Sequence, residues 1–251
     1  MKLATAAEVA QQAKQDAAPA ATPKPAPVSH DKLRVSAKLV ALVTPFMATS
    51  DIRYYLNGIS IRPHPAGGAV ITATNGHVLG TAYDPSAVCE HDVILALTPA
   101  TITALKARAG KGRELVLRNG RVTIIDGPEE ISIQPGNPVI EAKYPDLSRV
   151  IPPADRLKPG LMGYYNTAYI AVIDRVSKIA GARHAADQAA TFFTVDGNPN
   201  NSAVARLTAE PNFFAVLMPQ RSSDEIASLP HWCATATPAK DELAPATAGA
   251  A

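Results

Sequence analysis

His77 directly follows an Asn-Gly pair, which is typical of a tight turn. The stretch "AVITATNGHVLGTAY" (69–83) places Asn75 and Gly76 between two alternating apolar runs, and His77 comes next. Such a histidine is either a half-buried strand residue or part of an active site, and catalysis would require a base, a nucleophile or a metal partner. No partner of this kind is adjacent in sequence, so the residues alone leave both interpretations open.

Other residues with chemical potential form weaker patterns. "CEH" sets the Cys89 thiol two residues from the His91 imidazole, without a second pair at zinc-site spacing. Glu129 and Glu130 are expected to be solvated in a turn. The sequence contains no phosphate loop, nucleophile elbow or HExxH helix. We therefore expect no catalytic residue, no metal and no cofactor, and an enzyme remains an alternative interpretation.

Composition excludes several classes of protein. The 251 residues carry a formal net charge of +2, unlike a histone-like protein, although local basic faces remain possible. Two cysteines are too few for a disulfide scaffold and favour a reducing compartment. Without a signal peptide or an apolar run of about 18 residues, we expect a soluble, cytoplasmic protein.

The chain is predicted to contain two tails around a folded body. Residues 1–31 and 222–251 are rich in Ala and Pro and are expected to be disordered. Within the body, helices are predicted to begin near 36, 98 and 166, each followed by about three strands. Thr98 and Asn166 are candidate N-caps, and Pro45 should end or kink the first helix. The fold class is thus α+β, made of repeated helix-plus-antiparallel-sheet modules.

Three strand predictions are specific enough to test. A strand is expected over 52–62, with Tyr55, Asn57, Ile59 and Ile61 on one face. Asn-Gly pairs at 75–76 and 119–120 predict two tight hairpins, each with the two positive φ angles of a type I′ turn.

Four motifs, in order, resemble those of one known family. "DIRYYLNGISI", "TATNGHVLGTAY", "KYPDLSRVIP" and "FFAVLMPQR" are similar to segments of the bacterial DNA polymerase III beta subunits, the sliding clamps. The resemblance implies the sliding-clamp (DNA clamp) fold, with about one and a half clamp domains. Residues 32–153 would form a middle-like domain of two modules, and 154–221 one module, half of a C-terminal-like domain.

The sequence also departs from the family pattern. Asn75 stands where the family usually has Asp, Val78 where it has Arg, and Gln220 where it has Met. The family's first domain has no counterpart here. A phage or mobile-element origin would suit such a shortened form.

The resemblance implies a processivity factor for DNA replication rather than an enzyme, because any polymerase activity belongs to the holoenzyme. Such a clamp self-associates into a ring around duplex DNA, and its helices present Lys and Arg to phosphates without reading the sequence. The residues expected to face DNA are Lys38, Arg53, Tyr54, Tyr55, Lys106, Arg108, Lys111, Arg175, Lys178 and Arg183. An ordinary solvated helix face is the alternative for the cations, and sheet packing is the alternative for the tyrosines.

The family also has a surface groove that binds short peptides of polymerases and clamp loaders. Carried over by motif, its lining would be Leu56, Thr74, Gly76, His77, Leu79, Pro145, Arg149, Val150, Val216, Leu217, Met218, Pro219 and Arg221. His77 would then line a peptide site and perform no catalysis. The alternative for Leu56, Leu79, Val150 and Val216 is that they are core residues.

Two further alternatives remain open from the sequence. The chain could be a non-ring adaptor that binds or sequesters clamp-binding peptides. The segment "DEIASLPHW" (224–232) places Ile226, Leu229 and Trp232 outside the folded body, where they either dock in a groove of this chain or a neighbour, or form part of a disordered tail.

Overall fold

The computed structural model describes residues 32–106, 112–160, 163–184 and 187–220. The chain divides into two compact units. The first comprises Met1–Asn75 and Gly80–Tyr144, and the second comprises Gly76–Leu79 and Pro145–Ala251. The predicted tails, 1–31 and 222–251, lie outside the described residues.

The first unit contains two sets of strands. One is an antiparallel sheet in the order β1-β6-β7-β8, formed by β1 (Arg34–Ser36), β6 (Glu114–Arg118), β7 (Arg121–Asp126) and β8 (Glu129–Ile133). The other runs in the order β5-β2-β3-β4, formed by β2 (Ile59–Pro63), β3 (Ala69–Thr74), β4 (Val78–Asp84) and β5 (Val93–Leu95). The first two residues of β4 belong to the second unit.

Two helices of the first unit begin where the sequence predicts. They are α1 (Ala37–Val43) and α2 (Pro99–Lys106), and they pack against each other. Helix α1 ends ahead of Pro45, and a 3-10 turn follows at Thr44–Phe46. Every residue of α1 except Lys38 is buried, because the helix also packs against β3 and β6. The helix is therefore buried almost all round and not on one face alone.

A buried glutamine holds the start of α2. The side-chain oxygen of Thr98 accepts a hydrogen bond from the Thr101 amide at 3.2 Å, in agreement with the predicted N-cap. Gln134, which is 5% exposed, accepts bonds from the Thr98 amide and the Thr101 hydroxyl, each at 2.9 Å. Its amide nitrogen donates to the Ala96 carbonyl at 2.8 Å. The residue after β8 thus satisfies polar groups at the helix terminus, which the helix itself cannot do.

The two Asn-Gly hairpins differ in geometry. Asn119 and Gly120 have φ angles of 48° and 68°, as the predicted type I′ turn requires. At the other hairpin only Gly76 has a positive φ, at 90°, so the type I′ prediction is wrong there. The reason is loop length: residues 75–77 form a three-residue connection between β3 and β4, whereas type I′ turns close two-residue loops.

The strand predicted over 52–62 begins only at Ile59. Tyr54–Asn57 instead forms a 3-10 turn, so Tyr55 and Asn57 do not continue the strand face. The Asn57 side chain accepts from the Asp51 amide at 2.9 Å and donates to the Asp51 carbonyl at 3.0 Å. These side-chain-to-backbone hydrogen bonds, which are typical of Asn and Asp in turns, take the place of the backbone hydrogen bonds that a strand would form. Glu129 and Glu130, expected in a turn, are exposed at the start of β8.

The second unit supplies the third helix and four more strands. They are β9 (Leu157–Pro159), α3 (Thr167–Ala180), β10 (Ala190–Val195), β11 (Ala203–Leu207) and β12 (Phe213–Leu217), with antiparallel strands in the order β12-β11-β10-β9. The Asn166 side chain caps α3 by accepting from the Ala168 amide at 2.9 Å, which confirms the predicted cap. Gly181, with a φ of 99°, ends the helix in the left-handed conformation that glycine favours.

Candidate ligand groove and cationic helix faces

A short turn presents apolar side chains to the sheet of the second unit. Asp146 begins it by accepting a hydrogen bond from the Ser148 amide at 3.0 Å, and a 3-10 turn follows at Leu147–Arg149. The Val150 amide closes the turn on the Leu147 carbonyl at 2.9 Å. The turn directs Leu147 and Val150 onto the sheet and leaves Arg149 exposed.

The sheet face beneath this turn is an apolar row. Val216 on β12 lies opposite Val204 on β11, which lies opposite Phe193 on β10. Leu79, Val204 and Val216 form a buried nucleus. We call the whole group the apolar cluster; its partly buried members are Leu147, Val150, Leu157, Phe193 and Phe214.

His77 and Met218 lie two residues along the chain from the cluster members Leu79 and Val216, and we call them, with Tyr169, the border of the apolar cluster. The Met218 amide donates to the His77 carbonyl at 3.0 Å, which joins the "NGH" and "LMPQR" motifs within the second unit. The exposed His77 ring stacks on the half-buried ring of Tyr169, with centroids 6.1 Å apart and planes at 12°. This spacing is typical of attractive aromatic pairs. The border thus contains an aromatic pair, His77 and Tyr169.

The predicted groove residues fall into three groups. Leu56 and Thr74 are buried residues of the first unit, at 2% and 8% exposure. Arg221 lies outside the described residues. The second unit holds the others: buried Leu79, Val216 and Leu217, half-buried Pro145, Val150, Met218 and Pro219, and exposed Gly76, His77 and Arg149. Leu56, Leu79 and Val216 are buried, as the core alternative expects, and Val150 is half-buried and packs on the apolar cluster. Peptide binding stays a prediction for the whole set.

Sequence reasoning missed several side chains at this surface. The helical spacing of Tyr169, Ile173, Val176 and Ala180 places Tyr169 on the apolar face of α3, yet this residue remains half-exposed and pairs with His77. Its position in the first turn after the Asn166 cap was the available signal, because a helix terminus leaves side chains less covered. Phe193 and Phe214 each follow another phenylalanine in "FF" pairs, and alternation places the two members of a pair on opposite sheet faces.

The predicted DNA-facing cations occupy different environments. On α3, Arg175 and Lys178 are exposed, and Lys178 forms an ion pair with Asp174 at 2.8 Å. Arg183 is exposed just after this helix, and Lys106 is exposed at the end of α2. Lys38 is half-exposed, while Arg108 and Lys111 lie outside the described residues.

The residues Arg53, Tyr54 and Tyr55 lie together at the 3-10 turn of the first unit. The Arg53 guanidinium bonds to Asp51 at 2.8 Å, and this hydrogen bond raises the pKa of the arginine. Tyr54 is 57% exposed, and its ring meets that of Tyr55 edge-on at 5.9 Å. The sheet-packing alternative therefore does not account for Tyr54, whereas Tyr55 is half-buried.

The thiol of the "CEH" pattern is partly buried. Burial raises the pKa of the Cys89 thiol to about 11, and its sulfur donates to the His91 carbonyl at 3.2 Å. A protonated thiol is a poor ligand and a poor nucleophile. Within the described ranges, no group of three or more His, Cys, Asp or Glu side chains is placed to hold a metal ion. No helix in the described part of the chain has the length and hydropathy that a bilayer crossing requires.

Comparison with known proteins finds matches by structure but not by sequence. No model of a protein family matches the chain, and no curated protein matches its sequence. Solved structures do match. A DNA polymerase sliding clamp from Pseudomonas aeruginosa, with ligand, is 17% identical over 80% of this chain and 69% of that one, with a TM-score of 0.56.

Two other solved sliding clamps match the chain to a similar extent. The DNA polymerase III subunit beta from Pseudomonas aeruginosa is 18% identical over 81% of this chain and 69% of that one, with a TM-score of 0.55. A sliding clamp from Caulobacter crescentus is 18% identical over 80% and 69%, with a TM-score of 0.52. The chain therefore has the sliding-clamp fold. These three solved proteins are bacterial sliding clamps, one of them a DNA polymerase III subunit beta, as the four motifs indicate.

Proposed function

We propose that this chain is a sliding-clamp-like processivity factor, which encircles duplex DNA and docks replication proteins on a surface of its second unit. The observation that supports docking is the union of three separated motifs in one unit: the Met218 amide bonds to His77, and Val150 packs on the apolar cluster. A largely apolar floor with a few polar border groups suits peptide binding. In this proposal the chain performs no chemistry of its own.

The exposed cations support the DNA part of the proposal. Arg175, Lys178 and Arg183 are exposed on or just after α3, and Lys106 is exposed on α2. Lysine and arginine held near phosphates bind without reading sequence, and this binding weakens as the salt concentration rises, because counterion release then gains less entropy. The Asp174–Lys178 pair reduces the positive field of α3, so we expect weak contacts, as sliding requires.

The edge of the first sheet supports self-association. Strand β8 is the last strand in the order β1-β6-β7-β8, and Ile131 and Ile133 on it are 42% and 51% exposed. An edge strand with exposed isoleucines is a ready surface for pairing with another chain. We propose that such edges join copies of this chain into the ring.

A comparison of how long the protein is retained on circular and on linear DNA tests the proposal directly. The 251-residue chain is incubated with a nicked circular plasmid and with an equal mass of the same plasmid linearised, and both samples are passed through a sizing column. A ring is retained on the circle and slides off the line, because its persistence depends on topology. Equal retention on both DNAs, or on neither, with or without a clamp loader, would contradict encirclement.

Griselimycin provides a separate test of docking. A Pseudomonas aeruginosa DnaN sliding clamp of the same fold is known bound to griselimycin, at 16% identity to this chain and a TM-score of 0.50. We propose that the apolar cluster and its border bind the same compound, which calorimetry would detect. Binding without retention on circular DNA would indicate a non-ring adaptor.

A further inference from the structure

A cavity opens in the second unit next to the apolar cluster. Its volume is about 600 Å³, within the range of ligand-binding cavities. Phe193, Val204 and Phe214 line it and also belong to the apolar cluster. Leu157 is likewise common to the cavity and the cluster, and the other walls are mostly apolar and include Ile151 and Pro211.

One cationic side chain also lines the cavity. Arg206 on β11 is exposed, lies opposite Phe214 on β12, and lines the cavity beside Thr191 and Thr208. A guanidinium carries five N–H groups in a planar fork. A terminal nitrogen of Arg206 donates to the Pro211 carbonyl at 3.0 Å, which holds the side chain across the cavity wall. An occupant of matching chemistry would combine apolar side chains with a carboxylate.

The chain itself carries a segment with this chemistry. Residues 221–251 lie outside the described residues, and they include the sequence "DEIASLPHW" at 224–232. Asp224 and Glu225 immediately precede the apolar residues Ile226, Leu229 and Trp232. We propose that Asp224–Trp232 docks in this cavity of its own chain, with its apolar side chains on Phe193 and Phe214 and its carboxylates at Arg206.

The position of the segment along the chain suits this docking. As many residues separate Phe214 from Gln220 as separate Gln220 from Ile226. An extended chain advances about 3.3–3.6 Å per residue, so a reversal after Gln220 brings Ile226 back level with Phe214. The link is short, and short links produce effective concentrations on the order of millimolar. Weak contacts are therefore enough to populate the docked state.

Docking has a consequence for the groove, and this consequence rests on the proposed function. Val204 and Phe214 belong to both the cavity lining and the apolar cluster, so a docked segment lies beside any ligand that the cluster binds. The segment would then compete with griselimycin. Docking itself does not require that the chain binds DNA or griselimycin, and the test below uses neither.

Trp232 reports directly on docking, because the chain has one tryptophan. The test measures acrylamide quenching of its fluorescence in the full-length protein, against a synthetic peptide of residues 222–234. Docking predicts slower quenching and a blue-shifted emission in the protein, both independent of protein concentration. Quenching as fast as in the peptide would overturn the proposal. Shielding that increases with concentration would also overturn it, since the occupant would then be a neighbouring chain.

A charge swap tests the cavity itself. Arg206→Glu should lower the ratio of docked to undocked segments roughly tenfold, because attraction to two carboxylates becomes repulsion. Combining it with Asp224→Arg and Glu225→Arg should restore slow quenching. Lys158→Glu, at an exposed cation of the second unit outside the cavity lining, is the control and should leave quenching unchanged. If Arg206→Glu leaves quenching unchanged while the fold is intact by circular dichroism, the segment does not bind this cavity.

Discussion

The imidazole of His77 lies nearly parallel to the ring of Tyr169, at 12° and with a centroid distance of 6.1 Å. His77 belongs to the loop between β3 and β4, and Tyr169 belongs to the first turn of α3. The Met218 amide bonds to the His77 carbonyl, so the loop is held by its backbone while its ring is held by an aromatic partner. This pair is the structural basis of the first prediction.

Tyr169→Ala is expected to weaken griselimycin binding by roughly 0.5–1.5 kcal/mol, the typical contribution of an aromatic pair, because His77 loses the partner that orients its ring. Isothermal titration calorimetry measures the affinity. Tyr83→Ala is the matched control, because Tyr83 and His64 form another histidine–tyrosine pair in the first unit, with centroids 5.0 Å apart. If both variants bind alike, the His77–Tyr169 pair takes no part in the groove.

Arg175→Glu is expected to reduce retention on circular DNA at low salt, because it places a negative charge on the exposed face of α3. For every phosphate that the variant no longer neutralises, the slope of log affinity against log salt should become shallower by roughly 1. Arg121→Glu, at an exposed position that begins β7, has the same charge change and serves as the control. An equal reduction in both variants would mean that net charge, and not the α3 face, determines retention.

Gly80→Ala is expected to lower the free energy of unfolding by roughly 1–3 kcal/mol, as overpacking of a core does. Gly80 has an ordinary backbone conformation, but a Cβ atom there would overlap the buried ring of Phe46. Urea denaturation measures the change. The double variant Gly80→Ala/Phe46→Leu should be less destabilised than the sum of the single variants, because the smaller side chain makes room. Strict additivity would show that the two sites do not interact.

Cys89 is expected to react slowly at neutral pH. In a Cys233→Ser variant it is the one remaining thiol, since the chain has two cysteines. Burial raises its pKa from about 9 to about 11, so at pH 8 the thiolate fraction is roughly a hundredfold below that of an exposed thiol. Ellman's reagent measures the rate, which should rise about tenfold per pH unit from pH 8 to 10. An equal rate in the folded and the urea-unfolded chain at pH 8 would contradict this.

The same raised pKa fixes the sign of a stability change. Between about pH 9 and 11 the unfolded chain releases the Cys89 proton while the folded chain retains it. Stability should therefore fall as the pH rises through this window, and Cys89→Ala should remove that part of the dependence. Urea midpoints at pH 8 and pH 10, measured for both forms, provide the comparison.

Local signals in the sequence were sufficient for several elements. The Asn166 cap, the end of α1 ahead of Pro45 and the type I′ turn at Asn119–Gly120 were all predicted correctly. Each depends on backbone preferences of a few adjacent residues, and the sequence states these directly. The order of the four clamp-like motifs likewise predicted the sliding-clamp fold that the solved structures share.

Other features were decided only in the folded chain. The ring partner of His77, the burial of α1 on nearly every side and the 3-10 turn at Tyr54–Asn57 all depend on residues distant in sequence or on competing side-chain bonds. Hydrophobic periodicity reports which face of an element is apolar, but it does not report how many neighbours cover that element. By itself the sequence therefore determined most of the elements, their order and the fold, whereas tertiary packing decided which side chains meet at the second unit, because those contacts join segments that no local preference links.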